Sequence, residues 1–359
     1  MGGVPHTMHA VLLKGHGGPE QLEYRTDIPV PVSGPGEVLL QVLAAGVNNT
    51  DINTRVGWYS RAVSADTAAA VAGGGHDADD GGWTGAAFVF PRIQGTDVCG
   101  RVAAVGPGVA TSRIGERVLV DPVLRPADGA LAGTRFLGAD RDGGFAQYVV
   151  VPAANAHAVR CDWSDVQLAS LPCAYSAAEN MLDRAAVTAG ETVLVTGASG
   201  GVGSAAVQLA RRRGATVIAV AHPAKAEDVR RLGAVRTLAR DLDPVDALGR
   251  ESVDVVIDVV GGAGFGALLD VLRIGGRYAV AGAIAGPRVE LDLRTLYLKD
   301  LRLLGCTVTP PAVFAHLVAY VERGEIQPVV SATWPLARIA EAQAAFLNKA
   351  QTGKIVLLP

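Results

Sequence analysis

The sequence predicts an α/β protein with a doubly wound parallel sheet, and three consecutive stretches carry this prediction. Val193–Val195 is a short apolar run, typical of a buried parallel strand. Apolar residues then recur at helical spacing from Val202, and Gly214 stands where a residue ending a helix belongs. A second apolar strand occupies residues 215–220. Strand, glycine-rich turn, helix and strand in this order form the first unit of a dinucleotide-binding Rossmann domain.

The turn between the first strand and its helix has glycines where a pyrophosphate would approach the backbone. Glycine leaves no Cβ in the path of a phosphate, and the helix start offers unpaired N–H groups and a positive dipole end. Gly203 allows the helix to pack on its strand, although Ala198 replaces the first glycine of the usual fingerprint. A tight structural turn in another α/β protein is the alternative. We predict that the cofactor phosphates bind Ser199, Gly200, Gly201, Val202 and Gly203.

The end of the second strand indicates which dinucleotide binds. NAD-binding proteins place an acidic residue about 20 residues past the glycine motif, where it binds the ribose 2′-hydroxyl. Here Ala221 is followed by His222 and Lys225 without an acid. A 2′-phosphate would be attracted to these two side chains and repelled by an acid. We therefore predict NADP(H), with Lys225 as a solvated surface lysine being the alternative.

Length and composition exclude several classes of protein. A chain of 359 residues is long enough for two domains of ordinary size. A net charge of −3 with 49% hydrophobic residues argues against nucleic acid as a partner. We expect no membrane span, because no run of about 20 apolar residues occurs. The cysteines are scattered and no secretory signal is visible, so we expect a reduced, cytoplasmic setting; they are Cys99, Cys161, Cys173 and Cys306.

The remaining pattern predicts two domains. Short strand patterns with few helix signals fill the first part of the chain, and strands alternate with helices after the glycine-rich turn. The Ala/Gly/Asp-rich segment 61–85 lacks periodicity and is predicted to be a long loop that could cover the acceptor site. A terminal strand at 353–358 is predicted to return to the β domain. We assign residues 1–155 and 310–359 to the β domain and 156–309 to the dinucleotide-binding domain.

Several short motifs, spread over nearly the whole chain, occur together in the order that is typical of one protein family. The chain resembles the medium-chain dehydrogenase/reductase superfamily, and within it the zinc-independent quinone oxidoreductases and their enoyl-reductase relatives. The resemblance implies a GroES-like β domain, a Rossmann domain, a cofactor in the cleft between them, and a homodimer. The motifs are Ala44–Asp51, Arg55–Tyr59, Gly95–Val102, Ala198–Gly203, Val253–Gly261 and Thr352–Leu357.

The resemblance also bears on zinc. Alcohol dehydrogenases of this superfamily bind catalytic zinc through a Cys, a His and a second Cys or Asp, and the matching positions here are Asn48, Thr96 and Cys173. One soft ligand cannot hold Zn²⁺, so we predict no zinc. Without a Lewis acid, the small electrophilic substrate should be a quinone or an α,β-unsaturated carbonyl. A zinc-type alcohol dehydrogenase with a rearranged site, and a non-catalytic NADPH-binding protein, are the alternatives.

The catalytic candidates lie in the first two motifs. Tyr59 matches the tyrosine that enoyl reductases of this superfamily use as proton donor, with a half-buried rim tyrosine as the alternative. Asn48 is predicted to orient groups beside the nicotinamide, or to serve only in an Asx turn. Asp51 is predicted to be structural or to position Asn48 or Tyr59. Strand ends and the family match add the cofactor candidates Val260, Gly261, Gly282, Ile284, Thr307 and Lys354.

Overall fold

The computed structural model describes residues 3–76, 80–83, 87–126 and 131–359. The strands before the glycine-rich turn are β1 (Thr7–Leu13), β2 (Leu22–Pro29), β3 (Glu37–Gly46), β4 (Arg92–Ile93), β5 (Cys99–Val105), β6 (Arg117–Val120), β7 (Val123–Leu124), β8 (Arg135–Phe136), β9 (Tyr148–Pro152) and β10 (Ala156–Ala158). The strands that follow are β11 (Thr192–Val195), β12 (Thr216–Ala221), β13 (Arg236–Ala239), β14 (Val253–Asp258), β15 (Leu272–Val280), β16 (Arg302–Gly305), β17 (Val330–Pro335) and β18 (Lys354–Leu358).

Helices cover both faces of the later strands and connect the two parts of the chain. They are α1 (Asn49–Arg55), α2 (Thr67–Ala72), α3 (Asp165–Leu168), α4 (Pro172–Arg184), α5 (Gly201–Arg212), α6 (Ala226–Leu232), α7 (Pro244–Leu248), α8 (Phe265–Asp270), α9 (Leu293–Leu298), α10 (Pro311–Glu322) and α11 (Ile339–Leu347).

A parallel sheet forms the dinucleotide-binding part, in the strand order β13-β12-β11-β14-β15-β16. Its central strand β11 is paired with β12 and with β14, and residues Val193–Val195 are buried between helices on both faces. This explains why the central strand is an unbroken apolar run rather than an alternating one. The prediction of a doubly wound α/β sheet is confirmed.

The β part is a sheet in the order β10-β6-β5-β3-β18-β17, with β9 also paired to β3. The terminal strand β18 pairs antiparallel with β3, where Val356 is opposite Gly46, so the chain end returns to the β domain as predicted. Helix α10 buries Phe314 and Leu317 in the same core as the parallel sheet. The domain boundary between residues 309 and 310 stays a prediction.

The structure corrects two local predictions. The segment 61–85, predicted to be a loop, contains helix α2, because Asp66 caps an alanine-rich run by accepting a hydrogen bond from the Ala69 N–H at 2.7 Å. The helix predicted over Leu168–Asp183 is two helices, since Pro172 begins α4 after a break. Residues 77–79, 84 and 85 of the segment, residue 86 after it, and residues 127–130 of the region expected to hold a structural-zinc lobe lie outside the described residues. Within the described ranges, no helix is long and apolar enough to cross a membrane.

Candidate active site

Asn48 lies between β3 and α1, at the N-terminus of the helix. The Asp51 carboxylate accepts a hydrogen bond from the Asn48 backbone N–H at 2.7 Å, as an acidic residue three positions into a helix commonly does. This bond fixes the backbone at the start of the helix and with it the position of Asn48. Its amide nitrogen donates to the Asp97 carboxylate at 2.8 Å. Both side chains are buried.

Lys354 completes this arrangement from β18. Its ammonium lies 2.7 Å from the Asp97 carboxylate and donates to the Asn48 amide oxygen. The three side chains therefore form a closed ring of contacts, which we call the Asn48–Asp97–Lys354 cluster. The other Asp97 oxygen accepts from the Cys173 backbone N–H at 2.6 Å. Lys354 is 2% exposed and Asp97 is fully buried, so the charges depend on each other for compensation.

Two glycines provide space for the cluster. A Cβ on Gly46 would lie 2.5 Å from the Asp97 carboxylate, and one on Gly201 would lie 2.7 Å from the Lys354 side chain. Gly201 also begins α5, so the Lys354 stem passes the start of the helix predicted to hold the cofactor. The Gly353 N–H donates to the Ser199 carbonyl at 3.0 Å, which joins the chain end to the glycine-rich turn. The cluster therefore lies where the two domains meet.

Asp51 is buried beneath the cluster. Burial raises the pKa of its carboxyl to about 7, although the hydrogen bond from Asn48 and the charge of Lys354 favour the carboxylate. This group therefore exchanges a proton near neutral pH.

Tyr59 follows α1 and lies next to the same residues. Its hydroxyl donates to the Thr50 hydroxyl at 3.2 Å. Burial raises the pKa of Tyr59 to about 12, and the nearby Cys173 and Asp51 act in the same direction. Burial also raises the pKa of Cys173, so both groups keep their protons at neutral pH. Tyr59 is consequently a hydrogen-bond donor that has a proton to give.

The glycine-rich turn suits a dinucleotide phosphate. A Cβ on Gly203 would collide with the Gly197 carbonyl oxygen, so glycine is required for the helix to pack on its strand. A Cβ on Gly200 would have its nearest neighbour 3.4 Å away, which leaves this side of the turn open. The 12-residue helix α5 starts here and directs its unpaired N–H groups toward the opening.

Asp258, at the end of β14, fixes the loop that carries two of the predicted cofactor residues. Its buried carboxylate accepts backbone hydrogen bonds from Val260 at 2.8 Å and from Gly261 at 3.1 Å. The hydroxyls of Thr196 and Tyr278 also donate to it. The loop is therefore rigidly positioned at the carboxyl edge of the sheet, where ligands bind in open α/β folds.

The other predicted strand-end residues lie along the same edge. Gly282 and Ile284 are half-buried after β15, and Thr307 is exposed after β16. The Ile284 carbonyl accepts a hydrogen bond from the Thr67 N–H at 3.2 Å, so helix α2 of the inserted segment contacts the nucleotide domain. Nothing in the local sequence pattern predicted this contact.

Lys225 faces the other domain rather than open solvent. Its ammonium donates to the carbonyls of Lys349 and Gln351, the latter at 3.0 Å, and burial lowers its pKa. The Lys349 ammonium donates to the Asn49 side chain at 3.0 Å. Burial and the charge of Lys225 lower the pKa of Lys349 to about 8. Lys349 is 124 residues away in the chain, so sequence reasoning missed it.

His222 has a local structural contact. Its ring nitrogen Nδ1 accepts a hydrogen bond from the Ala224 N–H at 3.2 Å, and the side chain is otherwise exposed beside Ala221. It stays a predicted cofactor residue.

Comparisons with known proteins agree with the two halves of the structure. Residues 34–160 match the family model described as alcohol dehydrogenase GroES-like domain, and residues 201–323 match the model described as zinc-binding dehydrogenase. A solved structure of a candidate alcohol dehydrogenase from Sinorhizobium meliloti 1021 is 47% identical, with a TM-score of 0.89, covering 99% of this chain and 98% of that one.

Two curated relatives extend over nearly the whole chain. The quinone oxidoreductase of Homo sapiens is 28% identical over 98% of both chains. The acryloyl-coenzyme A reductase of Metallosphaera sedula is 29% identical over 98% of this chain and 99% of that protein.

A glycine-rich turn on a parallel sheet, facing a polar cluster on a GroES-like domain, defines a nicotinamide-dependent oxidoreductase. The chain belongs to the medium-chain dehydrogenase/reductase superfamily.

Proposed function

We propose that the protein is a zinc-free, NADPH-dependent reductase that delivers hydride to a quinone or to an α,β-unsaturated carbonyl. The observation that carries this proposal is the position of the Lys354 ammonium, hydrogen-bonded to Asn48 and paired with Asp97. An ammonium group thus lies beside Asn48, which together with Thr96 and Cys173 matches the positions of the superfamily's zinc ligands.

The donor set does not fit a zinc ion. Asn48 and Thr96 supply an amide and a hydroxyl, which leaves Cys173 as the one residue of the three with a side chain that zinc commonly binds, and one such ligand does not hold the ion. The Asp97 carboxylate is already engaged by Lys354 and Asn48. In the part of the chain that the structure describes, no group of three or more His, Cys, Asp or Glu side chains could hold a metal. No step of the proposed reaction therefore passes through zinc.

The choice of NADPH is supported by Lys225 and Lys349. The charge of Lys225 disfavours the charge of Lys349, and both ammonium groups donate to neutral oxygens. A 2′-phosphate would compensate both charges and form charge-assisted hydrogen bonds to them. Each domain contributes one lysine, so phosphate binding would also hold the cleft closed.

The chain's own residues can manage charge and protons at the acceptor. When bound, the cofactor supplies hydride from its nicotinamide ring. Although Asp97 compensates its charge, the Lys354 ammonium keeps N–H donors at a buried site, and a hydrogen bond from one of them would stabilise negative charge developing on the acceptor oxygen. Tyr59 is protonated and only weakly held by Thr50 at 3.2 Å, so it can turn its proton toward that oxygen or toward the adjacent carbon. Asn48 orients the groups around Lys354.

Steady-state assays in both directions test the proposal. Oxidation of NADPH and of NADH is measured with 1,4-naphthoquinone and with 2-cyclohexen-1-one as acceptors. Reduction of NADP⁺ is measured with a simple secondary alcohol as donor. We expect turnover with at least one of the first two acceptors, a preference for NADPH, and negligible oxidation of the alcohol. Binding of NADPH without turnover on any acceptor would contradict it, and so would efficient oxidation of the alcohol.

We also propose a homodimer that uses the β16 edge of the parallel sheet. Strand β16 ends the strand order, and the nearby side chains of Leu303, Tyr297 and Leu298 are exposed. An apolar surface beside an open strand edge is suited to pairing with a second copy. Light scattering after size exclusion should give a dimer for the wild type and a monomer for Leu298→Asp. A monomeric wild type would contradict this proposal.

A further inference from the structure

The Arg125 side chain joins the β domain to the loop between β16 and α10. Its guanidinium donates to the Thr309 carbonyl from Nε at 3.0 Å and to the Thr309 hydroxyl from Nη2 at 2.7 Å. Thr309 lies in that loop and is 2% exposed. We call residues 306–310 the β16 loop. Arg125 comes directly after β7, so the contact ties this loop to the β domain.

The β domain fixes the Arg125 guanidinium from its other side. The buried Asp121 carboxylate accepts hydrogen bonds from Arg125 Nη1 at 2.7 Å and from the Val123 N–H at 3.0 Å. Nη1 also donates to the Val123 carbonyl at 3.0 Å. A guanidinium is planar and holds its donors in a fixed fork. Its bonds to Asp121 and Val123 therefore determine where the donors that hold Thr309 lie.

The dinucleotide-binding domain holds the β16 loop as well. Arg184 of α4 donates to the Val308 carbonyl at 3.0 Å, and the Cys306 N–H donates to the carbonyl of Val280, the last residue of β15, at 2.9 Å. The Val308 side chain packs on a buried apolar group of the β domain. The loop is thus held from both domains, while Thr307 within it is exposed.

The strand order places this loop on the nicotinamide side of a dinucleotide. The glycine-rich turn that suits the pyrophosphate follows β11, and Lys225, predicted to bind the 2′-phosphate of the adenosine half, follows β12. Strand β12 lies on one side of β11, and β14, β15 and β16 lie on the other side. A dinucleotide bound across the carboxyl ends of these strands therefore extends its nicotinamide half toward the ends of β14, β15 and β16.

We infer, resting on the proposed function, that Arg125 is a positioning residue for the nicotinamide half of the cofactor. It acts through the β16 loop, because the guanidinium holds Thr309 and so fixes the backbone that carries the exposed Thr307. Without this contact, the loop has to be ordered when the cofactor binds, and the nicotinamide is placed less accurately against the acceptor. The residues predicted to bind the phosphates lie after β11 and β12, so their contacts do not depend on Arg125.

Arg125→Lys tests the inference in the full-length protein. The lysine keeps a positive charge for Asp121, but a single ammonium does not reproduce the fork that reaches both Asp121 and Thr309. Isothermal titration calorimetry compares NADPH with 2′-phospho-ADP-ribose, which lacks the nicotinamide. We expect the Kd for NADPH to rise about tenfold, the cost of ordering roughly one or two side chains on binding, and the Kd for the fragment to change less than about twofold.

The turnover number gives a second measurement. At saturating NADPH, kcat with 1,4-naphthoquinone should fall at least about tenfold in Arg125→Lys, since small misplacements of reacting atoms slow transfer steeply. Thr309→Val leaves the bond between Arg125 and Asp121 intact and removes only the hydroxyl that Nη2 reaches. It should raise the Kd for NADPH by a smaller factor, about threefold, again with little change for the fragment.

Arg113→Lys is the matched control. Arg113 also donates to one carboxylate and to backbone carbonyls, those of Glu116, Ala153 and Ala156, but all of these belong to the β domain. This variant should change neither Kd nor kcat. Thermal unfolding followed by circular dichroism shows that each variant is folded at the temperature of the assays.

The outcomes separate this inference from the proposed function. Binding of NADPH without reduction of any acceptor refutes the proposed function, while the ratio of the two Kd values still decides the role of Arg125. Titrations of NADH and ADP-ribose give the same ratio if the protein prefers NADH. Equal changes for cofactor and fragment in Arg125→Lys overturn the inference, because a merely structural arginine would affect both. Unchanged Kd values in both Arg125→Lys and Thr309→Val overturn it as well.

Discussion

The ammonium of Lys354 lies 2.7 Å from the carboxylate of Asp97, although Asp97 lies in the loop before β5 and Lys354 begins β18 near the end of the chain. Both side chains are almost completely buried, and Asn48 bonds to each of them. Taking both charges out of water is costly, so the pair is a poor way to gain stability. We interpret it as a means of fixing the Lys354 ammonium at the cleft, where it can donate a hydrogen bond to an acceptor.

The first prediction concerns the compensation within this pair. Lys354→Met leaves the Asp97 carboxylate buried without its cation, and we expect a loss of about 3–5 kcal/mol in the free energy of unfolding. Adding Asp97→Leu to Lys354→Met should recover part of this loss, because neither charge is then buried alone. Urea unfolding followed by circular dichroism measures all variants. If the loss in the double variant equals the sum of the losses in Lys354→Met and in Asp97→Leu alone, the two residues do not interact.

The second prediction concerns cofactor choice. Lys225→Ala and Lys349→Ala should each weaken NADPH binding about tenfold, since a charge-assisted hydrogen bond contributes about 1.5–3 kcal/mol. NADH lacks the 2′-phosphate, so its Kd should change little. Lys14→Ala is the matched control, because Lys14 is an exposed lysine that pairs with Glu23. Equal effects on NADPH and NADH would assign both lysines to domain contact alone.

The third prediction concerns the proton donor. Tyr59→Phe keeps the ring and its stacking on Trp83, and it removes only the hydroxyl bonded to Thr50. We expect kcat with 2-cyclohexen-1-one to fall about 100-fold, within the usual range for loss of a general acid. The KM for NADPH should stay the same. Tyr24→Phe, which removes an exposed hydroxyl bonded to His9, should have no effect on kcat. Full activity in Tyr59→Phe would reduce this residue to packing.

The fourth prediction concerns the pH dependence of stability. The pKa of Asp51 is about 7 in the folded protein and near 3.8 when unfolded, so the folded state binds the proton more tightly. Its contribution to stability is fully present below the unfolded pKa and is lost as the pH rises through 7. The unfolding free energy should therefore decline between about pH 4, near the unfolded pKa, and about pH 7, near the folded pKa. Asp51→Asn removes the titrating group, so the decline should be less steep in this variant. Identical slopes for wild type and variant would contradict this assignment.

Sequence reasoning succeeded where the pattern is local. The strand at Val193–Val195, the glycine-rich turn and Gly214 after α5 all depend on neighbouring residues, and the structure has a strand, a turn and a helix end there. Helix α2 was missed because its signal is short: Asp66 followed by an alanine-rich run, within a segment otherwise dominated by glycine.

The contacts that define the site depend on residues far apart in the chain. Asn48 and Lys354 are separated by 306 positions, and they meet only because β18 pairs with β3. Asp97 belongs to the motif Gly95–Val102, but the sequence did not show that it contacts Asn48 and Lys354. The pairing of Lys225 with Lys349, and the position of Trp83 between Tyr59 and Phe136, likewise require the folded chain.

The zinc content of the purified protein, together with its NADPH:naphthoquinone activity before and after chelation, shows whether Lys354 stands in place of a metal. We expect far less than one zinc per chain and the same activity after the chelator. Stoichiometric zinc whose removal abolishes the activity would contradict it.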